Sequence, residues 1–206
     1  MAKKVQFGIK DVCVWPVTEG TDSTTQEPTI SFGTKIAIPG TTKLTLDSDA
    51  SDASYFYADD MAYYIIPGKN NGRSGTIENA LIPEEVMTAL MDYIADENGN
   101  LVELVNSQTK YFAMAFSKET NDGDIRFVYY KCAFGKLPVS GDTTTDQATP
   151  ETTAVGIKIV PPNKQFTLGG VKQPVLGNRT GASTTTASWN AWFTTPQLPA
   201  EAQGEG

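Results

Sequence analysis

Five aspartates crowd one stretch of the sequence, Asp47, Asp49, Asp52, Asp59 and Asp60, with no basic residue between them. Closely spaced carboxylates suggest either a calcium loop or an acid/base pair. An EF-hand loop starting at Asp47 needs Gly at its sixth position and Glu at its twelfth. Those positions hold Asp52 and Ala58, so the match fails. What remains is a looser cation site or a solvated acidic loop. Asp59-Asp60 would serve as paired carboxylates only if a second functional group stood beside them, and the local sequence supplies none. Gly68, Gly72 and Gly75 with Lys69 and Arg73 lack the spacing and strand-to-helix setting of a phosphate cradle, and read instead as a hairpin tip.

There is no histidine. That removes the commonest general base, metal ligand and pH switch together, and makes Ser-His and Cys-His nucleophile pairs impossible within the chain. Cys13 and Cys132 are the only cysteines, too few for a zinc cluster or a disulfide framework. Each lies in a strand-like run, which predicts two buried free thiols. The sequence therefore predicts no enzyme, no cofactor and no resident metal.

The 206 residues are enough to bury a core unaided. Sixteen basic against twenty-four acidic residues give a net charge of −8. That balance opposes gripping nucleic acid or docking on anionic lipid, though not passing close to DNA without sticking. No run reaches the roughly 18 apolar residues of a membrane span. No apolar segment follows Lys3-Lys4, so no secretory signal is expected, and a cytoplasmic site of synthesis is.

The elements that must position these residues read mainly as strands. Alternation predicts two short strands over 5–17 with a break near Asp11, a polar loop over 18–28, strands over 29–38 and 43–46, a return strand over 76–82, and strands over 101–105, 110–117, 125–134 and 154–160. Asn121-Asp122-Gly123-Asp124 is a strong hairpin signal, because Asp-Gly tolerates positive φ. One helix is expected, over about 83–95: Pro83, Glu84 and Glu85 suit its first turn, and Val86, Leu90, Tyr93 and Ile94 form one apolar stripe. Residues 47–76 read as a long loop or arm, 139–153 as a surface loop, and Trp189-Phe193 as a short run between Gly/Thr loops. One domain over 1–193 and a flexible tail over 194–206 complete the reading. Trp15, Trp189, Trp192 and the tyrosines also admit a carbohydrate- or surface-binding module on a β-sandwich.

Ordered blocks then resemble one family. They are Val5-Gln6-Phe7-Gly8-Ile9-Lys10-Asp11-Val12, Ile38-Pro39-Gly40, Leu44-Thr45-Leu46-Asp47, Phe56-Tyr57-Ala58-Asp59-Asp60 with Tyr63-Tyr64, Gly75-Thr76-Ile77-Glu78, Arg126-Phe127-Val128-Tyr129-Tyr130-Lys131-Cys132 and Trp192-Phe193. Together they are similar to the major tail, or tail tube, proteins of long non-contractile tailed phages of Gram-positive hosts. The resemblance implies a β-sandwich or barrel-like fold with one flanking helix. It implies a virion protein, assembled in the host cytoplasm, whose hexameric rings stack into a tube for DNA ejection. Its partners would be further copies of itself, the tape measure protein, the tail terminator and distal tail proteins, with DNA passing through unbound. If each copy gave about four strands to a shared inner barrel, roughly 24 strands at about 4.8 Å spacing and 45° tilt would enclose a backbone diameter of roughly 50 Å. An acidic lumen would repel phosphate, over a range of about 8–10 Å. On this reading Tyr55, Phe56, Tyr57, Tyr63 and Tyr64 are subunit-interface anchors, and Asp47, Asp49, Asp52, Asp59 and Asp60 are lumen or loop acids.

Overall fold

A computed structural model describes residues 5–108, 110–141, 143 and 150–200. The chain is mainly β. Strand β1 (Gln6–Thr21) pairs with β2 (Pro28–Phe32), β3 (Ile36–Ala37) and, from further along the chain, β10 (Phe112–Thr120). Strand β4 (Thr41–Ala50) leads into the hairpin β5 (Ser54–Ala58) and β6 (Met61–Ile66), and β7 (Asn70–Asn79) returns beside β4. Helix α1 (Glu84–Leu90) follows, then the small pair β8 (Ile94–Ala95) and β9 (Leu101–Val102). Strands β10 (Phe112–Thr120), β11 (Ile125–Phe134) and β12 (Thr153–Ile159) complete the main sheet. The C-terminal part holds β13 (Gln165–Leu168), β14 (Val171–Pro174), β15 (Gly177–Arg179) and helix α2 (Thr186–Ala191).

The main sheet runs β2-β1-β10-β11-β12-β7-β4, with antiparallel pairing throughout. Alternation sends side chains to two separate cores. Val12, Val14, Phe112, Met114 and Phe116 pack with Ile77, Val155, Ile157 and Ile159 in the larger one. Cys13, Trp15, Ala113, Ala115, Val128 and Tyr130 pack with Trp192 on the opposite face. On β11 the register shifts between the pairs Phe112↔Cys132 and Met114↔Tyr129. This irregularity swaps the faces: Phe127 and Tyr129 point to the larger core, as do Cys132 and Phe134 beyond the shift.

Several expectations are corrected. The break expected at Asp11 is a bulge within one 16-residue strand: Asp11 takes φ 57° and the register shifts there, but pairing resumes at Cys13. Much of the loop expected over 18–28 is strand, since β1 continues to Thr21 and β2 begins at Pro28. Helix α1 stops at Leu90 instead of running to 95. Asp92 adopts φ 62° and the Tyr93 N–H turns back to the Met87 carbonyl, 3.2 Å away. Ile94, from the expected stripe, sits in β8 and is exposed. Val86 and Leu90 are fully buried against the larger core, as the stripe required. The strand expected over 101–105 shrinks to β9.

A second helix, α2, stands where a single helix was expected in the chain and Trp189-Phe193 read only as a short run. Thr185 caps α2 by accepting the Ser188 N–H, a serviceable N-cap. The first part of the expected tail packs onto the body. Pro196 is buried, Leu198 packs against the smaller core, and the Tyr130 hydroxyl donates to the Gln197 carbonyl at 2.7 Å. Residues 201–206 lie outside the described residues, as do 142 and 144–149 of the loop expected over 139–153.

Candidate functional site

The expected loop over 47–76 is largely strand, and it forms a projecting β-arm. β4 and β7 pair from Thr41↔Asn79 out to Ala50↔Asn70. The ladder continues past the body: the Ser51 N–H donates to the Lys69 carbonyl at 2.9 Å, and the Lys69 N–H to Ser51 Oγ at 2.8 Å. Beyond it β5 and β6 pair only with each other, from Ser54↔Ile66 to Ala58↔Met61. Two glycines let the strands run this close. A Cβ on Gly75 would lie 1.8 Å from the Thr45 carbonyl oxygen, and one on Gly68 would lie 1.8 Å from that of Ser51. The stretch around Gly68–Gly75 is thus the inner half of a strand pair, and the hairpin tip expected there lies at Asp59-Asp60.

The arm presents apolar side chains on both faces. Tyr55, Phe56, Tyr57, Tyr63 and Tyr64, the expected interface residues, are all exposed, Tyr63 at 72%. Tyr63 is the extra residue where the register shifts between Phe56↔Tyr64 and Tyr57↔Ala62. Met61, Ile65 and Ile66 are exposed beside them; their signal was the unbroken apolar run Met61–Ile66. Inside the arm, the Tyr55 and Tyr57 rings sit 6.3 Å apart. A lone two-stranded hairpin is marginal in water, and a contiguous exposed apolar surface of this kind marks a contact site.

The five aspartates do not converge. Asp47 and Asp49 lie on β4, where Asp49 accepts a hydrogen bond from Ser74 Oγ at 2.5 Å. Asp52 is at the arm's root, and Asp59 and Asp60 are at its tip. None of the five joins an ion pair among the described residues. No group of three metal-ligating side chains forms among those residues either. The outer face of β4, β7 and β12, opposite the larger core, is polar: it carries Lys43, Thr45, Asp47, Ser74, Thr76, Glu78 and Lys158, with Lys43 bridging Glu78 at 3.1 Å.

Neither cysteine is placed for chemistry. Both are buried and unpaired, as expected. Burial pushes the Cys13 thiol up to about 12 and raises that of Cys132 as well, the opposite of what a nucleophile needs. The tryptophans form no exposed platform. Trp15 and Trp192 are 1% exposed, and the Arg126 guanidinium covers Trp189 at 3.9 Å from the ring centre. Among the described residues no helix is long and apolar enough to cross a membrane.

No protein-family model and no curated protein sequence matches the chain.

Proposed function

We propose that the protein is a structural, self-assembling subunit of a phage tail tube, without catalysis or cofactor. Copies join into stacked hexameric rings in the virion, and DNA passes through the lumen without specific binding. The observation that carries this reading is the arm over Ser54–Ile66, which exposes aromatic and aliphatic side chains on both faces and has no strand partner but itself. Burying a large apolar side chain contributes about 1.5–3 kcal/mol, so covering the arm with another copy gives assembly a strong local drive. The polar outer face of β4, β7 and β12 suits a wetted wall. Its acids, Asp47 and Glu78 with Asp49 nearby, are the candidates to face DNA. The tape measure, terminator and distal tail proteins are the proposed partners at the tube's axis and ends.

The test removes the apolar arm surface and leaves the body intact. Tyr57→Ser with Tyr64→Ser and Ile65→Ser should abolish polymers in electron micrographs while leaving thermal melting within a few degrees of wild type. Normal tubes from this variant would defeat the reading. A carbohydrate-binding module is less favoured: its stacking tryptophans are buried or covered, which leaves the arm's exposed tyrosines to stack on a sugar.

A further inference from the structure

The chain has three arginines. Arg126 is packed under Trp189 and Phe193, with ring centres 3.9 Å and 5.0 Å away. The other two line one groove of ≈ 580 Å³. Arg73 projects from β7, and Arg179 stands on β15 opposite Phe127 of β11. The groove lining mixes Phe127, Tyr129, Val175 and Leu176 with the neutral polar side chains Asn70, Gln173 and Asn178, and no acidic residue lines it. Among the described residues neither arginine pairs with a carboxylate; the ion pairs there use Lys10, Lys43, Lys110, Lys131 and Lys172. Arg73 Nη1 donates to the Leu46 carbonyl at a weak 3.5 Å. Asp122 and Asp124 line the adjoining groove on the other side of Arg179, but in this groove two guanidinium groups without an ion pair among the described residues stand beside aromatic rings, a combination that selects a carboxylate carried on a partly apolar stem.

The arm is such a ligand. Its tip is Asp59-Asp60, flanked by exposed Tyr57 and Met61, and no basic residue occurs from Asp47 to Gly68. A chain's own tip does not reach its own groove. Asn70 lines the groove at the arm's root, and ten extended residues at about 3.3 Å each put Asp60 about 30 Å away. Resting on the assembly reading above, we propose that Arg73 and Arg179 are the receptor for the Asp59-Asp60 tip of a second copy's arm. Donor and receptor lie on one chain at different places, so the contact is head-to-tail and propagates from copy to copy. Each tip carries charge into the groove and leaves apolar side chains along the walls.

The test uses the full-length chain and sedimentation velocity at low and moderate salt. Arg73→Glu with Arg179→Glu should weaken self-association about tenfold or more, as should Asp59→Arg with Asp60→Arg. An equimolar mixture of the two variants should restore association, because each reversed tip then meets a reversed groove and each native tip a native groove. D59N/D60G, which keeps the turn but removes its charge, should also weaken association, and circular dichroism melting monitors folding in every variant. Wild-type association by R73E/R179E, or no rescue on mixing, overturns the groove assignment. If the arm triple-serine variant nevertheless fails to associate, the arm reading stands without this receptor. If that variant too associates like wild type, or wild type stays monomeric at every concentration, both fall.

Discussion

Asp59 and Asp60 stand consecutively in the left-handed region, with φ of 51° and 60°, and together form the whole connection between Ala58 of β5 and Met61 of β6. Two residues with positive φ make the tight turn whose twist matches a hairpin, and Asn-Gly is its best sequence. L-residues other than Gly, Asn and Asp are strained there. Replacing the pair by Asn-Gly should therefore stabilise the arm while removing its tip charge. Hydrogen exchange should slow for the amides of Ala58 and Met61, the pair that closes the turn. Replacing Asp59 by Val should do the opposite, at a cost of about 1–2 kcal/mol to the hairpin. Unchanged exchange in both variants would contradict the turn.

Gly75 holds β7 against β4 at the base of the same ribbon. An added Cβ would meet the Thr45 carbonyl oxygen at 1.8 Å and Leu46 Cα at 3.0 Å, both backbone atoms that cannot swing away. Gly75→Ala should destabilise the body by about 2–4 kcal/mol. For a chain this long that lowers Tm by roughly 5–15 °C. Calorimetry checks it; an unchanged Tm would mean that the ribbon does not run this close.

The turns show how much could be read from sequence. Asp122-Gly123 announced the β10–β11 hairpin because the glycine carries the positive φ, 100°, that the turn needs. Asp59-Asp60 makes an equally tight turn with less suitable residues, and its flanks, Tyr55-Phe56-Tyr57 and Met61–Ile66, are apolar at successive positions. A strand exposed on both faces does not alternate, so the arm read as a loop. Its position and its tyrosines were nonetheless visible, since large apolar residues amid aspartates have no core to serve. Helix α2 went unread for a related reason: the spacing of Trp189 and Trp192 by three fits a short helix, and Thr185 with Ser188 was the capping signal, but 6 residues are too few to show a helical period. Arg73 and Arg179 meet only because β15 adds to β11 far along the chain, and nothing local marks that.

The buried thiols set a pH dependence. Burial penalises the thiolate, which pushes the Cys13 thiol up to about 12 and raises that of Cys132 too. A folded value above the unfolded one, about 8.5, means that the contribution is complete below about pH 8.5. It is then lost as the pH rises, at about 1.4 kcal/mol per pH unit for each thiol. Stability should fall between pH 8.5 and 10, and less steeply in Cys13→Ala. Native protein at pH 8 should resist alkylation at both thiols and react at both once unfolded. Rapid labelling of the native form would contradict their burial.

The most direct measurement is electron cryomicroscopy of the protein concentrated alone and co-expressed with neighbouring tail components. The expected result is stacked six-fold rings around an open bore, with Tyr57, Tyr63 and Tyr64 buried against another copy and Asp47 and Glu78 facing the bore. Persistent monomers with the arm in solvent, or a bore lined by lysine and arginine, would contradict it.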